Sequence, residues 1–171
     1  MFSLRRKRED DVDVQLVLEN LSRLDAVKAT HLLGPEPRPE FDELAEKASG
    51  QLRTPMAFLS ILSGHHSHLV GAAGLAEDSA EERQIPAEES YCQHVVAFDD
   101  VFVVDNARTD ALVANHPATA DGVRAYLGVP IRKNGQTVGS FCVVDTKPRR
   151  WTEKNLAALE ALAAEVTEEI G

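Results

Sequence analysis

The chain has 171 residues, enough for one domain with a helical extension, and its content of 43% hydrophobic and 27% charged residues is that of a globular protein. Its 18 basic and 28 acidic side chains give a net charge of −10, which argues against nucleic acid and anionic membranes as partners. No stretch approaches the roughly 18 apolar residues of a membrane span or the apolar core of a signal peptide, so a cytoplasmic protein is expected.

Two helices are predicted before the first strand. Over residues 12–33, apolar side chains recur at helical spacing and form one narrow stripe on a charged rod; they are Val14, Val17, Leu18, Leu21, Leu24, Val27 and Leu32. Prolines in residues 34–39 end this helix, because proline cannot continue it. The second helix is predicted over residues 39–51, with Pro39 in the favoured first turn. We therefore assign a tail and a possible dimerisation helix to residues 1–38, and one domain to residues 39–171.

Strands are predicted to follow these helices. Met56–Leu62 is a dense apolar run of strand length, and residues 68–72 form a plausible return strand. The acidic stretch of residues 77–82 is predicted to be a surface loop. A short helix is predicted over residues 90–96, and a brief strand over residues 101–104.

A hairpin is the strongest local signal in the second half of the chain. Strands are predicted over residues 124–133 and 137–145, after a stretch of loop and short helix at residues 107–122. The dipeptide Asn134-Gly135 between the strands is typical of a type I′ turn, because both central residues of that turn need a positive φ. Gly128 and Gly139 lie inside these strands, and so we expect neighbouring atoms to pack closely against both.

The last predicted element is a helix over residues 152–170, with Thr152 as its N-cap. Strands joined by hairpins pair antiparallel, and long helices then cover one face of the sheet. The sequence therefore predicts an α+β fold, in which the N- and C-terminal helices share one face of an antiparallel sheet of five or six strands.

Four segments, taken in order, carry a family resemblance. They are residues 90–94 (SYCQH), 103–110 (VVDNARTD), 124–145 with the Asn134-Gly135 turn, and 148–152 (PRRWT). In this order they resemble the GAF domain family, over roughly residues 40–168. The resemblance implies a GAF/PAS-like fold with a short helix over a small-molecule pocket. Because one fold hosts many tasks, the resemblance supports the fold more strongly than any function.

The resemblance also implies which residues line that pocket, between the sheet and residues 90–121. They are Phe58, Ser60, Tyr91, Cys92, His94, Asp105, Tyr126 and Cys142. Such apolar walls with a few polar groups suit a small molecule. We expect a non-catalytic sensor without a cofactor, in which the terminal helices of a homodimer pass the ligand state to a downstream signalling protein. The alternative is a ligand-free interaction or dimerisation module, whose pocket residues simply form core.

Other chemistries have weaker support. One GAF subgroup reduces free methionine sulfoxide with loop cysteines; the two cysteines here, Cys92 and Cys142, do not match that pattern, which leaves a thiol-based oxidoreductase as a minority alternative. His94 or His116 could bind haem, whereas residues 107–122 contain no cysteine to attach a bilin. His66 and His68 share one face of a strand but lack further ligands nearby, so no metal site is predicted.

Overall fold

A six-stranded antiparallel sheet forms the centre of the structure. The computed structural model describes residues 12–34, 38–75 and 83–171. The strands are β1 (Met56–Leu62), β2 (His66–Ala73), β3 (Gln84–Pro86), β4 (Phe102–Val104), β5 (Ala125–Lys133) and β6 (Gln136–Asp145). They lie in the order β3-β2-β1-β6-β5-β4, and every neighbouring pair is antiparallel. This confirms the predicted α+β fold, although the sequence pattern did not indicate β3.

Six α-helices surround this sheet in the described part of the chain. They are α1 (Val14–Leu18), α2 (Leu21–Ala29), α3 (Pro39–Leu52), α4 (Cys92–Phe98), α5 (Pro117–Ala120) and α6 (Glu153–Glu169). The predicted helices at residues 39–51, 90–96 and 152–170 correspond to α3, α4 and α6. The predicted acidic loop at residues 77–82 lies outside the described residues. Within the described ranges, no helix has the length and apolar character needed to cross a membrane.

The prediction of a single helix over residues 12–33 is wrong. The helix is interrupted at Glu19 and Asn20. Asn20 is the N-cap of α2, and its side-chain oxygen accepts a hydrogen bond from the Arg23 backbone N–H at 3.0 Å. Asparagine favours this capping position over a helix interior, because its side chain competes for backbone hydrogen bonds. The break lets the two helices separate, so that α1 packs against α4 while α2 packs near β6 and β5.

The sheet separates two hydrophobic cores. Alternate residues of a strand point to opposite faces; on β5, for example, Leu127 faces the core beneath α2, α3 and α6, whereas Tyr126 faces the core shared with α1 and α4. The apolar stripe of α6 is buried in the first of these cores, which includes Leu159, Leu162 and Val166. That stripe therefore packs on the protein's own sheet and is not available to a second copy.

The β5–β6 hairpin has the predicted backbone. Asn134 and Gly135 have φ values of 53° and 77°, so both adopt the positive φ that the turn requires. The predicted close packing at two strand glycines is also confirmed. A Cβ placed at Gly128 would lie 2.5 Å from the Tyr126 hydroxyl oxygen, and one at Gly139 would lie 1.9 Å from the Ser60 carbonyl oxygen. Gly128 thus leaves room for the Tyr126 ring to lie against the sheet.

Candidate functional site

A cavity of about 340 Å³ lies on the α4 side of the sheet. The central strands supply one wall, and the start of α4 together with α5 and the residues around it supplies the other. Six of the eight predicted site residues line this cavity: Phe58, Ser60, Tyr91, Cys92, Tyr126 and Cys142. They come together because alternate positions of β1, β5 and β6 face the same side of the sheet, and α4 begins directly above them.

His94 and Asp105, the other two predicted residues, do not line the cavity. His94 follows Cys92 by two positions, about 200° around a helix, and so points to the other side of α4. Its ring stacks on Phe98, with centroids 5.7 Å apart, and lies against Phe102. The Asp105 carboxylate is exposed and accepts a hydrogen bond from the Trp151 backbone N–H at 3.4 Å. It therefore helps to fix the segment that leads into α6.

A buried polar network lies at the floor of the cavity. The Tyr126 hydroxyl donates a hydrogen bond to Cys92 Sγ at 3.2 Å, and its oxygen lies 3.1 Å from Ser140 Oγ. Because the phenol has one proton, Ser140 is the donor in the second contact. Ser60 pairs directly with Ser140 across β1 and β6, and both are fully buried. Ser140 was not among the predicted site residues, although a serine within an apolar strand signals a buried hydrogen-bond partner.

The two thiols at this floor have different acidities. Hydrogen bonding with the Cys142 thiol, and also with Ser90, Tyr126 and Ser60, lowers the pKa of Cys92 to about 6, although burial acts in the opposite direction. Burial raises the pKa of Cys142 well above its ordinary value, and the hydrogen bond to Cys92 raises it further. Cys92 is therefore the thiol that ionises first, and Cys142 keeps its proton.

A second series of hydrogen bonds fixes the cavity wall that α4 and α5 form. The Thr119 hydroxyl donates its one proton to the Val113 carbonyl oxygen, at 2.7 Å. The Tyr91 hydroxyl also contacts Thr119 Oγ1, and it must therefore be the donor in that hydrogen bond. The Tyr91 ring meets the rings of His116 and Tyr126 edge-on, with centroids 4.7 and 5.4 Å away. These hydrogen bonds fix Tyr91 between the floor of the cavity and α5.

The histidines considered as metal or haem ligands have other contacts. His116 caps α5, where its Nδ1 accepts a hydrogen bond from the Ala118 N–H at 3.0 Å, and its Nε2 lies 3.3 Å from Gln93 Nε2. His66 and His68 share one face of β2, and His68 Nε2 lies 3.1 Å from Ser63 Oγ. Among the described residues, no three His, Cys, Asp or Glu side chains form a group that could hold a metal ion.

The charged groups around the cavity are acidic. Glu89 and Asp121 belong to its lining and are exposed to solvent, whereas the described lining contains no Lys, Arg or His side chain. A separate, more open concavity beside α5 is lined in part by Arg108 and Arg124. The cavity and this concavity therefore differ in the sign of the charge that they present.

This geometry defines a class of protein: an α+β domain with an antiparallel sheet and a cavity between that sheet and a short helix, here α4. A sequence model of the GAF domain matches residues 36–170, and the chain belongs to the GAF domain family. GAF domains are known as a small-molecule-sensing and signalling fold.

The chain is similar to a cyclic di-GMP phosphodiesterase of Pseudomonas aeruginosa, with 31% identity over 127 residues. That match covers 72% of this chain, which spans only 21% of the phosphodiesterase.

Two solved structures show the same fold at low sequence identity. The GAF domain from a phosphoenolpyruvate-protein phosphotransferase of Acinetobacter superposes with a TM-score of 0.65 at 15% identity, covering 88% of this chain and 94% of that one. A type II free methionine-R-sulfoxide reductase from Thermoplasma acidophilum superposes with a TM-score of 0.64 at 15% identity, covering 78% and 91%. At this level of identity the likeness concerns the fold alone.

Proposed function

We propose that this GAF domain binds a small molecule in the cavity between the sheet and α4, and acts as a sensor rather than an enzyme. The observation that carries the proposal is the cavity itself. At about 340 Å³ it falls in the range of small-molecule sites, roughly 300–1,000 Å³. Its walls are mainly apolar, and the hydroxyls of Ser60, Tyr91 and Tyr126 provide polar groups.

The charge of the lining favours a neutral or cationic ligand. An anion in the cavity would be repelled by Glu89 and Asp121, and the described lining has no basic side chain to neutralise it. Cyclic di-GMP, the compound that the Pseudomonas phosphodiesterase is named for, carries two phosphates. The acidic opening of the cavity, beside Glu89 and Asp121, does not suit such an anion. An amine beside the rings of Tyr91 and Tyr126, by contrast, would gain cation–π attraction.

The packing of α4 supports a route from the cavity to the surface. Cys92, at the start of α4, lines the cavity, and α4 also packs against α1, where Leu18 is buried in the same core as Cys92. A ligand with higher affinity for one position of α4 would shift the population of α1 positions as well. The output of the sensor is therefore proposed to leave through the N-terminal helices.

Thermal unfolding with three related indoles tests the ligand site. Indole is neutral, tryptamine is a cation and indole-3-acetate is an anion, and all three carry the same ring. We expect the first two to raise the melting temperature, by the equivalent of roughly 2.7 kcal/mol at 100 times the Kd. Indole-3-acetate should raise it least, because Glu89 and Asp121 repel it.

A pair of variants in α5 provides the control for this test. Ala118→Phe fills part of the cavity and should abolish the shift, whereas Ala120→Phe, on the exposed side of the same helix, should leave it intact. The receptor proposal fails if neither the indoles nor any member of a metabolite library distinguishes the two variants.

Two exposed leucines favour a homodimer as the transmitting unit. Leu16 on α1 is 67% exposed and Leu21 on α2 is 79% exposed, the two highest values among the exposed large apolar side chains of the described residues. We propose that these leucines contact a second copy of the chain. The double variant Leu16→Glu with Leu21→Glu is then expected to convert a dimer into a monomer in light scattering after size exclusion.

The control for the dimer is Ala157→Glu, which places a carboxylate on the exposed face of α6 and should leave the mass unchanged. If the unmodified protein has the monomer mass at high concentration, the leucines do not join two copies. The interaction-module alternative, with a different protein bound at Leu16 and Leu21, would then be favoured.

A further inference from the structure

The two cysteine sulfurs face each other at the cavity wall. Cys92 is the first residue of α4 and Cys142 lies in the middle of β6, yet their Sγ atoms are only 4.0 Å apart. A disulfide has an S–S distance of about 2.05 Å, so the sulfurs would have to approach each other by about 2 Å. Side-chain rotation can supply such a movement, because both thiols border the open space of the cavity.

The surroundings of the two sulfurs divide the chemistry between them. The thiolate is the nucleophilic form of cysteine, and hydrogen bonds to Cys92, which lower its pKa to about 6, favour that form. Cys142 has a raised pKa and stays protonated. Oxidation of Cys92 removes the negative charge that helps to raise the Cys142 pKa, so the Cys142 sulfur can then lose its proton and attack the oxidised sulfur.

Access to the thiols restricts the reagent. Cys92 and Cys142 are 3% and 1% exposed, so a large reagent in bulk solvent cannot reach either sulfur directly. Both nevertheless line the cavity, which opens to solvent beside Glu89 and Asp121. Hydrogen peroxide is small and uncharged, and the acidic mouth does not repel it.

We propose that Cys92 and Cys142 form a modification site for hydrogen peroxide, which enters through the cavity and converts the two thiols into a disulfide. The Cys92 thiolate attacks one peroxide oxygen, and an S–O bond forms as the O–O bond breaks; the released hydroxide takes up a proton and becomes water. The Cys142 sulfur then attacks the Cys92 sulfur. The S–S bond forms as the S–O bond breaks, and the hydroxyl leaves as water with the Cys142 proton.

In this sequence the two thiols lose two electrons and one peroxide molecule gains them. The disulfide would tie the start of α4 to β6, and the Cys92 sulfur, which accepts the Tyr126 hydrogen bond in the reduced protein, would be bonded to Cys142 instead of free to ionise. It would therefore change the wall of the proposed ligand cavity. The reaction shares that cavity with the proposed function but does not require a ligand to be bound.

Intact-mass measurement of the reduced chain after exposure to hydrogen peroxide tests the proposal. We expect the loss of two hydrogen atoms and, after proteolysis under non-reducing conditions, a peptide pair that joins Cys92 to Cys142. The proposal is overturned if the mass stays unchanged under conditions that oxidise a cysteine-containing peptide. Accumulation of sulfinic acid at Cys92 in place of the disulfide would overturn it too.

Single-cysteine variants separate the roles of the two sulfurs. In Cys142→Ser, the serine hydroxyl can still donate a hydrogen bond to Cys92, so Cys92 should still react and should stop as a sulfenic acid that dimedone traps. In Cys92→Ser, the Cys142 thiol should react at least about tenfold more slowly. Equal reactivity of the two cysteines in these variants would contradict the assignment.

The α5 variants test the route without altering either thiol. Ala118→Phe should slow disulfide formation relative to Ala120→Phe, and equal rates in these two proteins would rule out entry through the cavity. The outcome is independent of the thermal-shift experiment. If the disulfide forms but no ligand raises the melting temperature, the sensor proposal alone is wrong. If ligands raise the melting temperature but no disulfide forms, the modification-site proposal alone is wrong.

Discussion

Replacing Arg23 with methionine is expected to lower the free energy of unfolding by about 3 kcal/mol, because several buried carbonyl groups would lose their donor. Arg23 is 2% exposed, and its guanidinium donates hydrogen bonds to the Leu18 and Leu62 carbonyls at 2.7 and 2.8 Å. Longer hydrogen bonds reach the carbonyls of Val17, Ser63 and Thr137. Methionine can fill the space of the side chain but cannot donate to any of these oxygens.

The charge of Arg23 makes these contacts strong. Burial lowers the pKa of Arg23 to about 10, which is still far above neutral pH, so the side chain stays a cation. Hydrogen bonds from a charged donor contribute roughly 1.5–3 kcal/mol each, although contacts made by one side chain do not add up independently. Arg23 thereby holds the α1–α2 junction to the end of β1 and the start of β6.

Urea denaturation of Arg23→Met and of Arg150→Met measures this effect. Arg150 is exposed, and its substitution should change the free energy of unfolding by less than about 0.5 kcal/mol. Amide hydrogen exchange should rise most in residues 14–29 if Arg23 secures the N-terminal helices. Equal stabilities of the two variants would show that the carbonyls find other donors without difficulty.

Arg23 also explains why the N-terminal region was predicted wrongly. The sequence pattern placed Leu21 and Leu24 on the apolar stripe, but the structure exposes Leu21 and buries Arg23 with Ala26 and Val27. Periodicity assumes that an arginine faces solvent. Here backbone carbonyls from distant parts of the chain compensate for burying the guanidinium, and no local pattern reveals such partners.

The elements that were predicted correctly depend on local chemistry. The Asn134-Gly135 turn and the Thr152 N-cap are each specified by residues within three positions of one another in sequence. The strand β3, in contrast, has three residues and, within the described part of the chain, pairs only with β2, so its existence depends on a tertiary contact. Local sequence gives no signal for an edge strand of that length.

The candidate site divides in the same way. The family resemblance placed Tyr91, Cys92 and Tyr126 around the cavity, because those positions follow from the order of strands and helices. It misplaced His94, since only the start of α4 faces the cavity. The carboxylates of Glu89 and Asp121, which determine the charge of the mouth, were missed, because acidic loop residues are common on a surface with a net charge of −10.

Gly139→Ala is expected to cost about 3 kcal/mol of stability and to disturb the cavity as well. A Cβ at this position would lie 1.9 Å from the Ser60 carbonyl oxygen and 3.0 Å from the Ile61 Cα. Both are backbone atoms of β1 and cannot rotate out of the way. Because β6 lies between β1 and β5, and Gly139 pairs with a residue on each, neither strand can move without weakening a ladder.

The two effects of this substitution have a common origin at Ser60. This residue lines the cavity, and the β1–β2 pairing already shifts register between Leu59 and Ser60, so a displaced β1 should move there first. Gly50→Ala in α3 is the matched control: nothing lies within 4 Å of the added Cβ, and alanine should stabilise the helix by about 0.5–1 kcal/mol. If tryptamine raises the melting temperature of Gly50→Ala but not that of Gly139→Ala, the glycine maintains both the sheet and the cavity wall. Unfolding free energies within 1 kcal/mol of each other would show instead that β1 accommodates a methyl group at little cost.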